Sequence, residues 1–110
     1  MINWTRVSEL RDEIGAEDFG EIVDLFLEEM DEETCALTAG VAVECLESKL
    51  HSLKGSALNL GFEAFADLCQ AGEKAAAQAS HDQIDLAGIL RTYEASKTEF
   101  LNTHETRFAA

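Results

Sequence analysis

Proline is absent from the 110 residues, and glycine occurs only seven times. Proline breaks helix interiors, so a chain without it can hold long uninterrupted helices. Basic residues are scarce too: eight Lys+Arg stand against 22 Asp+Glu, a net charge of −14. Such a charge repels phosphate backbones and anionic lipid, which argues against nucleic-acid or membrane-surface binding. No apolar run approaches the ~20 residues of a bilayer span. The opening Met1-Ile2-Asn3-Trp4-Thr5-Arg6 lacks the basic-then-apolar order of a signal peptide. A soluble, cytoplasmic protein is expected. Cysteine is limited to Cys35, Cys45 and Cys69, 10 and 24 positions apart. An odd number without CxxC spacing argues against a disulfide framework and a zinc site, and the three are expected to pack as small reduced hydrophobes.

The apolar share of 46% is that of a globular protein, and the length suits one domain over residues 1–110. Apolar residues recur with helical periodicity. A short helix is predicted from Trp4 to Ile14, through Val7 and Leu10, stopped by Gly15. A second is predicted from an Asp18/Glu21 capping box to Gly40, with Phe19, Ile22, Val23, Phe26, Met30 and Leu37 in one stripe. The third runs from Val41 to Leu60, with Leu46, Leu50, Leu53, Ala57 and Leu60 spaced 4, 3, 4 and 3, and with Gly61 set to turn left-handed past its end. The fourth spans Phe62 to Ala79, with Phe65, Leu68, Cys69 and Gly72 inward. Ser80-His81-Asp82-Gln83 is a capping box for a fifth helix carrying Leu86, Leu90, Tyr93, Phe100 and Leu101. Short connections between amphipathic helices favour antiparallel neighbours. The expected fold is all-α, an antiparallel up-down four-helix bundle with a short extra N-terminal helix capping one end.

The segment that carries chemistry is His51-Ser52-Leu53-Lys54-Gly55-Ser56-Ala57-Leu58-Asn59-Leu60-Gly61. With Leu50 and Leu53 facing the core, His51 falls on the flank of the apolar stripe, and Lys54 and Gly55 share its face one turn along. A neutral imidazole is a good nucleophile near neutral pH. Lys54 places a positive charge where an incoming phosphoryl oxygen can be stabilised. A mid-helix glycine costs about 0.5–1 kcal/mol against alanine, so Gly55 needs a reason, and access for another protein's backbone supplies one.

These residues resemble the histidine-containing phosphotransfer (HPt) domains of two-component phosphorelays, whose H-x-L-K-G-S-A-x-x-x-G pattern is met by His51, Leu53, Lys54, Gly55, Ser56, Ala57 and Gly61. The resemblance extends to Leu25-Phe26-Leu27-Glu28 and to Phe62–Cys69. It implies that His51 accepts a phosphoryl group from an aspartyl phosphate or a kinase and passes it on. It also implies that Glu73, 22 residues later, hydrogen-bonds the ring and leaves the other nitrogen to react. Leu50 departs from the alanine common in the family and is expected to alter only local packing. The implied partners are receiver domains of response regulators and a hybrid histidine kinase, with any Mg2+ on the receiver and no cofactor on this chain.

The chain has neither a G-x-x-x-x-G-K-[ST] loop nor a Gly-rich ATP lid, so it is expected to be a monomeric phosphocarrier and not a kinase. The runner-up reading is a helical interaction module that binds and inhibits a kinase or regulator without carrying phosphate. A third, a segment of a larger chemotaxis-type kinase, is disfavoured by the initial Met and the self-contained length. His81 and His104 receive no role. Nine carboxylates from Glu17 to Glu33, among them Asp31 and Glu33, lack the spacing of a calcium loop and are expected to form a solvated outer face.

Overall fold

A computed structural model describes residues 2–40, 42–79 and 83–108, and side chains as far as residue 103, Val43 excepted. Among the described residues five helices follow in order: α1 (Trp4–Ile14), α2 (Ala16–Ala39), α3 (Val43–Leu60), α4 (Glu63–Ala77) and α5 (Leu86–Phe108). α2 packs on α3, α3 on α4, α4 on α5, and α5 returns to α2, so four helices close a bundle. No helix among the described residues is long and apolar enough to cross a membrane.

α1 and α2 meet at a single residue. Gly15 has φ +90°; its N–H donates to Arg11 O at 2.9 Å, and its carbonyl accepts from Phe19 N–H at 3.1 Å. The second helix therefore begins at Ala16, and the Asp18/Glu21 capping box does not form. Asp18 lies inside the first turn, where its charge meets the positive end of the helix dipole. The buried face of α2 is Phe19, Val23, Leu27, Met30, Thr34 and Leu37; Ile22 and Phe26 are only half-buried. Thr34 is tolerated there because its hydroxyl donates to Met30 O at 2.8 Å.

α3 buries the expected Leu46, Leu50, Leu53, Ala57 and Leu60. It ends in a Schellman motif: Phe62 N–H donates to Ala57 O at 2.8 Å, Gly61 N–H to Leu58 O at 3.3 Å, and Gly61 sits at φ +81°. A Cβ at Gly61 would stand 2.7 Å from the Asn3 carbonyl oxygen. This close approach lets Asn3 N–H reach Gly61 O at 2.7 Å, tying the chain start to the α3–α4 turn. The Asn3 side chain caps α1, and Trp4 stacks on Phe100 of α5 with centroids 5.6 Å apart. The N-terminal helix thus caps one end of the bundle.

Several details depart from the sequence expectations. Leu68 is 38% exposed and Leu101 41% exposed. The inward face of α4 is Phe65, Ala66, Cys69 and Gly72, and that of α5 is Ile89, Tyr93, Ser96 and Phe100. α5 starts at Leu86, because Asp85 caps it by accepting from Gly88 N–H at 2.9 Å. The Ser80–Asp82 part of the expected capping box, His81 included, lies outside the described residues, as does Val41. Only Cys69 is buried; Cys35 and Cys45 are exposed thiols, so packing does not account for them.

Candidate functional site

The site is built where α4 runs close along α3. Leu50 and Leu53 are almost completely buried, which turns the intervening flank of α3 outward and leaves the His51 side chain 69% exposed. Leu50 reaches into space that a bare Gly72 leaves open: a Cβ at Gly72 would stand 2.9 Å from Leu50 Cδ1. The next residue along each helix then meets its counterpart. Glu73 Oε2 lies 2.7 Å from His51 Nδ1, and Glu73 Oε1 accepts from Lys54 Nζ at 2.8 Å. The bulk of Leu50 is therefore matched by the absence of a side chain across the interface, and this pair sets the approach of Glu73.

One carboxylate serves two donors, and its ionisation follows from them. The Lys54 hydrogen bond holds the Glu73 carboxyl below its ordinary range; partial burial opposes this, and the His51 contact reinforces it. An ionised carboxylate only accepts, so the shared proton is assigned to His51 Nδ1. Nε2 makes no hydrogen bond among the described residues. Beneath the site, burial and then the Glu73 charge push the Cys69 thiol up to about 12, which keeps it protonated and unreactive.

Of the residues singled out in the sequence, the structure brings together His51, Lys54 and Glu73. Gly55 stands beside them, with nothing within 4 Å of where its Cβ would be. Lys54 differs from expectation. It shares the His51 face but is only 22% exposed, its ammonium held by Glu73 and not free to solvent. The acidic stretch is not wholly an outer face either. Asp31 accepts from Tyr93 Oη at 2.6 Å and from Lys97 Nζ at 2.8 Å, and Glu33 accepts from Ser52 Oγ at 3.1 Å. Burial works against the Asp31 charge, yet the Lys97 and Tyr93 hydrogen bonds hold its pKa low. Sequence reasoning also missed Glu44, Glu47 and Ser48, which share an open depression with His51 and Glu73. Their positions at −7, −4 and −3 from His51 place them on its face, a signal that helical spacing alone could have supplied. Among the described residues no cluster of His, Cys, Asp or Glu is suited to hold a metal ion. The His104 side chain lies outside the described residues.

A family model for the Hpt domain matches residues 21–100. The chain belongs to the Hpt domain family. The match begins in α2 and ends in α5, so α1 lies outside it. Hpt domains act in phosphotransfer in two-component systems, and their partners are receiver domains and kinases. No curated protein and no solved structure matches this Hpt chain.

Proposed function

We propose that the chain is a phosphocarrier in which His51 takes a phosphoryl group from a receiver's aspartyl phosphate, or from a hybrid histidine kinase, and hands it to another receiver. The observation that carries this reading is the pair of contacts that the two Glu73 oxygens make with His51 Nδ1 and Lys54 Nζ. It orients the ring with Nε2 outward on an exposed side chain. In the transfer the Nε2 lone pair attacks phosphorus, the bond from phosphorus to the aspartyl oxygen breaks, and the aspartate leaves as a carboxylate. Nδ1 keeps its proton, and the positive charge that develops on the ring lies 2.7 Å from Glu73.

Lys54 stabilises charge on the transferring group, and Gly55 leaves room for the receiver's backbone. Any Mg2+ belongs to the receiver. Mixing the chain with a receiver carrying a radiolabelled aspartyl phosphate tests the reading. Label is expected to move to the 12.0 kDa chain. Binding of such receivers with no label transferred from any of them would contradict it.

A further inference from the structure

We infer that the His51 face of α3 docks its receiver in one orientation, with a cationic rim of the receiver over Glu44 and Glu47 and an apolar rim over Leu58. The inference rests on the phosphocarrier reading and adds the surface chemistry of the partner. Seven residues of α-helix turn a side chain through about 700°, some 20° short of two turns, so positions 44, 51 and 58 face the same way. A rise of 1.5 Å per residue places positions 44 and 58 about 10 Å to either side of His51.

The two flanks differ in kind. On the N-terminal side, Glu44, Glu47 and Ser48 join His51 and Glu73 around an open depression of about 610 Å³. Neither Glu44 nor Glu47 has an ion-pair partner among the described residues, and the nearby Lys54 ammonium is held by Glu73. On the C-terminal side, Gly55 leaves open space, and beyond it Leu58 is 50% exposed. Leu50, Leu53 and Leu60 of the same helix are at most 1% exposed. A lone exposed leucine signifies nothing by itself. Leu58 is set apart by its alignment with the imidazole, across a gap that no side chain fills.

Whatever covers His51 therefore meets negative charge at one end of the strip and apolar surface at the other. Lys or Arg on one side of the receiver's aspartate pocket is drawn to Glu44 and Glu47, whereas a partner acidic there is repelled. A second copy of this chain is a poor occupant, since each copy carries a net charge of −14.

The test is steady-state transfer from a phosphorylated receiver, across a range of salt, beside labelling by potassium phosphoramidate, a small donor that needs no docking. Leu58→Glu is expected to raise KM for the receiver about tenfold, the effect of losing one interface anchor. The Glu44→Gln/Glu47→Gln protein is expected to raise KM at low salt, with the difference vanishing near about 0.5 M, where screening acts within about 4 Å. Phosphoramidate labelling of each variant reports that His51 is still reactive. If KM is unchanged in either variant, the two-ended orientation is wrong while the phosphocarrier reading stands. If neither donor labels the wild type, the phosphocarrier reading itself fails. If Leu58→Glu converts a self-associated wild type into a smaller species on sedimentation, a second copy covers Leu58 and receiver docking there is overturned.

Discussion

Glu73 and His51 stand 22 positions apart in the chain, and Glu73 Oε2 lies 2.7 Å from His51 Nδ1. The contact fixes which nitrogen holds the proton, and the same carboxylate restrains Lys54 through its other oxygen. Glu73→Ala removes both restraints. It is expected to slow labelling of His51 about ten- to a hundredfold, the equivalent of one charge-assisted hydrogen bond. Glu73→Gln keeps an acceptor for Nδ1–H and should fall between the two. Initial rates of transfer from one receiver to the three proteins check the order.

The depressed pKa of Glu73 gives this contact a pH signature. A carboxylate whose folded pKa lies below its ordinary value of 4.5 stabilises the fold above that value, and the contribution is lost as pH falls through the folded pKa. The difference in melting temperature between wild type and Glu73→Gln is therefore expected to shrink as pH falls below 4.5. A difference that grew as pH fell below 4.5 would contradict the ion pair.

Gly55 and Lys54 separate access from electrostatics. Gly55→Gln fills open space, so the fold should be as stable or slightly more so, given the better helix propensity of glutamine. Transfer from a receiver should nevertheless fall, because a long side chain then stands where the receiver approaches. Lys54→Ala should slow transfer without abolishing it, since the lysine assists charge development and is not the nucleophile. Thermal melts alongside transfer rates distinguish these effects from simple loss of structure.

Much of this architecture was legible in the sequence. The α3 leucine spacing, Gly61 as a left-handed stop, and the grouping of His51, Lys54 and Glu73 all follow from helical periodicity and from the family pattern. The failures have specific causes. Asp18 looked like a cap, but Gly15 with its positive φ starts the helix earlier. Leu68 and Leu101 are apolar yet half-exposed, because the stripe chosen by packing runs beside them and apolar identity alone does not specify burial. The matching of Leu50 to Gly72, which sets the approach of Glu73, joins two helices and leaves no local signal.

Ser96 offers a test of the core that is independent of the site. Its side chain is fully buried, and Oγ has no hydrogen-bond partner among the described residues. An unsatisfied buried hydroxyl costs about 1–3 kcal/mol, so Ser96→Ala is expected to stabilise the fold by about 1 kcal/mol. For a domain of this size that corresponds to a rise in Tm of roughly 4–8 °C, readable by circular dichroism.

The most direct measurement is the site and chemistry of the label that the chain acquires from a phosphorylated receiver. It is expected on His51 alone, as a phosphoramidate that survives base and is lost in acid. His51→Gln should keep its helical spectrum, because the side chain is 69% exposed and no core volume changes, and should take up no label. Full labelling of the His51→Gln protein, or a phosphate stable in acid, would contradict His51 as the carrier.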